Sequence, residues 1–210
     1  MCDPDWLSGW VDIVRCINSV DGVTCSSPNL TKAIKRLTDK PVLYLPDRHD
    51  LEWLKEKKIH KGRAKKLVWW GYAHNAHILR PIFKYLNTEN LTLTVIADSK
   101  ESLSEVLTKS EIEKIKFVEY NTETVNKEII KNDIVVFPNS MKHKDLYKSN
   151  NKTTQARGLN MPVAVYSEDL IRLLDEGERV KETDKWYEST RKEYDVRRSV
   201  KELQEFIGKL

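Results

Sequence analysis

Residues 131–163 read KNDIVVFPNSMKHKDLYKSNNKTTQARGLNMPV, and the order of residue types along them decides the fold. Ile134, Val135, Val136 and Phe137 form an apolar, β-branched run of the kind buried on both faces of a parallel sheet, and Pro138-Asn139-Ser140 ends it. Ser149, Asn150 and Asn151 are each able to cap a helix that runs through Lys152, Gln155 and Arg157. Asn160 is a residue type that closes helices in the left-handed conformation. Pro162-Val163 then begins a second short strand. A helix N-terminus beside a lysine suits an anionic ligand.

Working outward, the same alternation repeats. Apolar runs at 67–70, 91–97, 115–118, 134–137 and 162–166 are separated by helical stretches at 76–86, 102–107, 122–131 and 151–159. Strands alternating with helices predict an α/β fold with a doubly wound, Rossmann-like parallel sheet over residues 66–184. Residues 1–45 hold two helical stretches (6–17 and 28–37) and two short strands (22–25 and 41–45), too little core to stand alone, and read as a small α/β remnant of a larger domain. Residues 46–65 are polar and lysine-rich, a linker with a short helix near 51–57. Residues 170–174 are helical, as are residues 185–210. There Val196, Val200, Leu203 and Ile207 make one apolar stripe, expected to pack on the N-terminal segment.

Composition narrows the function classes. Lys and Arg number 36 against 32 acidic residues, a net charge of +4 with the signs interspersed, so nucleic-acid binding is not required. Cys2, Cys16 and Cys25 have no CxxC spacing and leave an odd thiol, which reads as reduced cysteines in a cytoplasmic protein. No apolar run is long enough for a transmembrane segment, and no signal-peptide pattern opens the chain.

The segment 155–163, Gln-Ala-Arg-Gly-Leu-Asn-Met-Pro-Val, resembles the run before the last strand in retaining glycosyltransferases of the two-domain GT-B fold, of the family 4 or family 1 kind. In them it reads Glu-Ala-x-Ala-x-Gly-x-Pro-Val. Ala156, Pro162 and Val163 match; Gln155 and Tyr147 stand at the two glutamates, and Asn160 at the glycine. CDPDW, VTCSS and VLYLPDRHDLEW resemble the N-domain exit and inter-domain linker of the same enzymes. The resemblance implies a C-terminal nucleotide-sugar-binding half with most of the N-terminal domain missing, and a C-terminal helix that crosses back to that domain.

The family's strand order, 3-2-1-4-5, places ligands at the carboxyl ends of strands one and four. Their exits are Gly71-Tyr72-Ala73-His74-Asn75 and Pro138-Asn139-Ser140. Gly71 permits close backbone approach, Tyr72 stands beside it, and Asn75 either caps the next helix or offers an amide. Asn139 and Ser140 supply polar groups. Lys152, with Asn151 beside it, is the catalytic candidate: its charge adds to the helix dipole to stabilise a diphosphate leaving group, the alternative being a solvated surface lysine. Gln155 can hydrogen-bond a ribose or sugar hydroxyl but cannot act as a general base. Tyr120, followed by Asn121, stands where the family holds the base; a plain surface tyrosine explains it nearly as well.

Other constellations read as structural. His74 and His77 lack a third local ligand, so no metal site is expected. Trp69 and Trp70 point to opposite faces of one strand and read as core. Asp3 and Asp5 flank Pro4 as turn residues. Asp47, Arg48, His49 and Asp50 read as a solvated loop in preference to a hinge. The expected function is transfer of a sugar from a nucleotide-diphosphate donor, with no further cofactor, to an unknown acceptor. The acceptor-binding half would lie on a complementary chain, or the chain would self-associate. The alternative is a non-catalytic binding or assembly module that keeps the half-fold.

Overall fold

The computed structural model of the chain describes residues 5–9, 11–138 and 146–210. After a 3-10 turn at Asp5–Ser8 come α1 (Ile13–Asn18), β1 (Val23–Cys25), α2 (Pro28–Ile34), β2 (Val42–Tyr44) and β3 (Lys66–Trp70). A second 3-10 segment, Ala73–Leu79, leads into α3 (Arg80–Thr88), β4 (Thr92–Ala97), α4 (Lys100–Val106), α5 (Lys109–Ile112), β5 (Ile115–Glu119), α6 (Val125–Ile130) and β6 (Ile134–Val136). The chain ends with α7 (Asn151–Gly158), β7 (Val163–Ala164), α8 (Ser167–Arg172), α9 (Glu176–Glu193) and α10 (Val196–Ile207). It divides into two units. One comprises Met1–Trp53, Met141–Thr154 and Arg191–Leu210; the other comprises Leu54–Ser140 and Gln155–Thr190.

The second unit is the Rossmann-like body. Its five strands are all parallel in the order β5-β4-β3-β6-β7, so the chain starts in the middle, winds to one edge, returns and winds to the other. Leu67, Val68, Trp69 and Trp70 are buried, as are all three residues of β6, which is why both runs are apolar throughout. Capping places the helices. Ser99 accepts the Ser102 amide at the start of α4, and Thr108 with Glu111 forms a capping box on α5. The expected single helix from 76 to 86 is two pieces. Pro81, with no amide hydrogen, fits only the first turn of a helix, so α3 starts at Arg80 behind a 3-10 segment.

Two charged residues tie this body together. Asp133 accepts the amides of Lys65 (2.9 Å) and Lys66 (3.0 Å) on one oxygen and the Lys58 ammonium (3.0 Å) on the other, which fixes the start of β3 beside β6. Arg179, fully buried on α9, donates to the carbonyls of Leu173 (3.0 Å), Leu174 (2.9 Å) and Gly62, satisfying acceptors left over at the end of α8.

In the first unit β1 and β2 pair in parallel as a two-stranded sheet. Cys25, Leu30 and Ile34 are fully buried in its core, and the Lys40 ammonium collects the carbonyls of Ile17, Asn18 and Val20 beyond α1. The expected continuous helix over 185–210 is broken at Tyr194-Asp195. His49 donates its backbone amide to Tyr194 and accepts that of Val196, and Asp195 then caps α10 through the Arg197 amide. Phe206 and Leu210 pack on Gly22, where an added Cβ would meet them at 2.9 and 2.8 Å, while Val196, Val200 and Ile207 stay exposed. The solvated-loop expectation for residues 47–50 needs correction. Arg48 makes a bidentate pair with Glu202 (2.8 Å to each oxygen) and donates to Ser199 and the Glu193 carbonyl, a planar fork that a solvated arginine would not hold. Among the described residues no helix is long and apolar enough to cross a membrane.

Candidate functional site

In the second unit, the carboxyl edge of the sheet brings together residues from three adjacent strand exits. After β3, the Gly71 amide donates to Ile96 (3.1 Å), Tyr72 is two-thirds exposed at 66%, and its ring stacks on His74 with centroids 5.7 Å apart and planes 15° apart. The Asn75 amide donates to the Tyr72 carbonyl (2.9 Å) in the 3-10 turn that follows, and the residue is half-buried. After β4, Asp98 is exposed, and its Oδ1 accepts the Ala73 amide at 2.7 Å. After β5, the Tyr120 amide donates to Ala97 (2.9 Å), leaving a ring 42% exposed. Asn121 turns its own Oδ1 to the Glu123 amide (2.8 Å), ahead of α6. After β6, Pro138 is buried, and Asn139 and Ser140 lie outside the described residues.

In the first unit, the first turn of α7 is braced from outside the helix. The Asn150 carbonyl accepts the Thr154 amide (2.9 Å), and its side chain donates to the Tyr194 hydroxyl (3.1 Å). Asn151 is exposed, and its Oδ1 accepts the Lys152 amide (2.7 Å). His49 Nε2 lies 3.0 Å from the Asn151 carbonyl and 3.0 Å from Thr154 Oγ1. Burial holds the His49 imidazole toward its neutral form, partly opposed by that carbonyl and by Asp47. Lys152 is half-buried on this turn. Its pKa is lowered to about 8, first by burial and then by the charge of Lys148. Two ammonium groups at one helix N-terminus, where the dipole is already positive, give a place where negative charge is stabilised.

Further along α7, within the second unit, Gln155 is buried and its amide nitrogen donates to Asn126 Oδ1 (2.9 Å) on α6. Asn160 closes the helix at φ +60°, as its residue type suggests. Its side chain donates to the Lys58 carbonyl, and its own carbonyl accepts from His60. Arg157 stacks on Trp186, 4.2 Å from the ring centroid. These two residues, with Met161 and Pro162, line a shallow surface depression at the amino end of β7. Among the described residues no three histidine, cysteine or carboxylate side chains gather as metal ligands. His77 Nδ1 sits 3.0 Å from the His74 carbonyl.

Tyr147, at the position of the family's first glutamate, lies edge-on to Trp6 (6.4 Å), and its carbonyl accepts the Ser27 hydroxyl. Sequence reasoning missed Asp98, Asn126 and His49. Asp98 carries a readable signal, an acid placed directly after the apolar run of the second strand. Asn126 and His49 carry none, because their partners lie 29 and 102 residues away.

No known family profile matches the chain, and no curated protein matches it. Among solved structures it is similar to a chain of the Glycosylation Associate Protein (Gap123) complex from Streptococcus agalactiae. The identity is 13% and the TM-score 0.40, over 91% of this chain and 43% of that one. The chain thus spans less than half the length of that neighbour, at a similarity too low to carry function.

Proposed function

We propose that this chain is the nucleotide-sugar-binding half of a GT-B-type glycosyltransferase. In this reading Asn151 and Lys152, on the first turn of α7, are the candidates for the donor's diphosphate, and Gly71, Tyr72, Asn75 and Tyr120 are the candidates for its ring portions. Gln155 supports α7 through Asn126. The observation that carries the proposal is Lys152: an ammonium on the first turn of a helix, with its pKa lowered to about 8 by burial beside a second lysine. A diphosphate places its negative charge where the helix dipole and two ammonium groups stabilise it, and the same contact stabilises the leaving group as the sugar departs. The acceptor then belongs to a complementary half, on another chain or a second copy. The two-stranded sheet of the first unit and its exposed Val14, Val20, Leu37 and Val200 favour such a partner.

One observation favours a second reading, a binding or assembly module without transfer activity. The two positions where the resembling enzymes carry glutamates hold Tyr147 and a buried Gln155, and neither is an acid. Thermal unfolding with UDP-, GDP- and ADP-sugars tests the donor site. At a hundredfold excess over Kd the matching donor stabilises the fold by about 2.7 kcal/mol, and Lys152→Ala removes that gain. No stabilisation by any donor would overturn the proposal. Stabilisation without turnover of the sugar would favour the module.

A further inference from the structure

The segment that carries the second unit into β3 is an extended strap laid across the amino edge of its five-stranded sheet. Lys58 donates its backbone amide to the Leu159 carbonyl (2.9 Å) and its ammonium to Asp133 (3.0 Å). Asn160 donates its side-chain amide to the Lys58 carbonyl (2.9 Å), and His60 Nε2 lies 2.9 Å from the Asn160 carbonyl. Leu159 and Asn160 lie just ahead of β7, Asp133 lies just ahead of β6, and Lys66 opens β3, so the strap crosses three strand starts. Held this way, it alternates. Leu54 and His60 are buried and Glu56 and Lys58 are half-buried, while Lys55, Lys57, Ile59 and Lys61 are exposed. In extended backbone alternate residues share a face, so these four stand in one outward row about 20 Å long.

Charge and exposure along the row define what it fits. From residue 55 to residue 66 every exposed charged side chain is cationic, with Arg63, Lys65 and Lys66 adding to the three lysines, and the one acid of the stretch, Glu56, is half-buried. Ile59, at 73%, is the most exposed large hydrophobic side chain among the described residues, and it stands between the lysines. The matching surface is therefore anionic and takes an apolar side chain among its charges. A row one side chain wide offers far less than the roughly 800 Å² per partner of a stable protein interface. A nucleic acid is met by cations on its backbone and by amides or aromatic faces on its bases, which leaves no place for Ile59. The surface of an anionic bilayer has both parts, phosphates for the lysines and an acyl boundary within reach of an aliphatic side chain, and it requires no matching shape. We propose that the row Lys55, Lys57, Ile59 and Lys61 is a docking surface for an anionic lipid bilayer, on which the protein rests peripherally. This goes beyond the donor reading and does not depend on it.

Flotation of the whole chain with vesicles at a series of lipid concentrations tests it, one set of phosphatidylcholine alone and one of equal parts phosphatidylcholine and phosphatidylglycerol. The expected result is binding to the anionic set only, present at about 0.1 M salt and lost at about 1 M, where charges are screened beyond about 3 Å. Lys55→Gln and Lys61→Gln should each weaken that binding by about fivefold, and Ile59→Ser by about fivefold. Lys100→Gln, the same loss of charge at the opposite edge of the sheet after β4, should change it by less than about twofold. All four side chains are exposed, so urea midpoints equal to the parent's are expected and show that a loss of binding is not unfolding. No binding to anionic vesicles would overturn the proposal. So would equal losses for Lys61→Gln and Lys100→Gln, which mark a response to net charge alone. Binding unaffected by Ile59→Ser, together with tighter binding to a DNA duplex or to polyglutamate than to vesicles, would also overturn it and give the row to a nucleic acid or an acidic chain.

Discussion

Replacing Lys152 by methionine is expected to make the unliganded protein more stable. The ammonium's pKa is lowered from 10.5 to about 8, first by burial and then by Lys148. At about 1.36 kcal/mol per pKa unit that drop corresponds to a ceiling of roughly 3 kcal/mol. The side chain is only half-buried, so solvent relaxation reduces the gain to about 1–2 kcal/mol. The sign with pH follows from the depressed folded-state value. Below about 8 both folded and unfolded states carry the proton and the cost is fully present; it fades as pH rises toward 10.5. Urea unfolding near pH 7 should show a higher midpoint for Lys152→Met with an unchanged slope, and near pH 10 the two midpoints should converge. A bound diphosphate restores the proton, so calorimetry at about pH 8 in buffers of different ionisation enthalpy should record uptake of about half a proton per donor. A variant no more stable than the parent near neutral pH, or a difference that does not narrow with pH, would refute the reasoning.

Three further substitutions probe the scaffold that positions the site. Asp133→Asn should cost about 1–3 kcal/mol near neutral pH by urea unfolding. Burial alone would raise the Asp133 pKa, but the Lys65 and Lys66 amides and the Lys58 ammonium outweigh it and hold the carboxyl below 3.8, so the cost should shrink as pH falls through that lowered range. Arg179→Met should destabilise by about 3 kcal/mol by removing the side-chain donor from the Leu173 and Gly62 carbonyls and leaving the Leu174 carbonyl to the Ala64 amide alone, with hydrogen exchange rising at that amide. Gly158→Ala places a Cβ 2.8 Å from Leu54 Cδ1, and the clash with a buried side chain should cost about 1–3 kcal/mol in the same assay.

Much of the second unit is legible from residue type alone. Continuous apolar β-branched runs such as Ile134–Val136 can be satisfied only inside a sheet covered on both faces, and the helical intervals between runs force parallel crossovers. Asn160 announced its own helix end. Interactions that join distant segments were not legible. Nothing local in Asp47-Arg48-His49-Asp50 shows that Arg48 will meet Glu202 or that His49 will brace the start of α7. The break before α10 likewise depends on backbone bonds from His49, and the charged sequence around it reads as continuous helix. At the candidate site, glycine, tyrosine and lysine were readable because each has a chemistry of its own. Asp98 was overlooked because its importance comes from the neighbouring strand, where it holds the Ala73 amide.

The most direct test is an amide chemical-shift map of the isotopically labelled chain, titrated with a nucleotide-diphosphate sugar that stabilises it. The predicted pattern is a saturable set of shifts at Asn151, Lys152 and Thr153, together with Gly71 to Asn75 and Tyr120. The first group should be lost with a nucleoside that lacks the diphosphate. Shifts confined to the depression around Arg157 and Trp186, or no saturable shifts at all, would contradict the assignment of a nucleotide-sugar site.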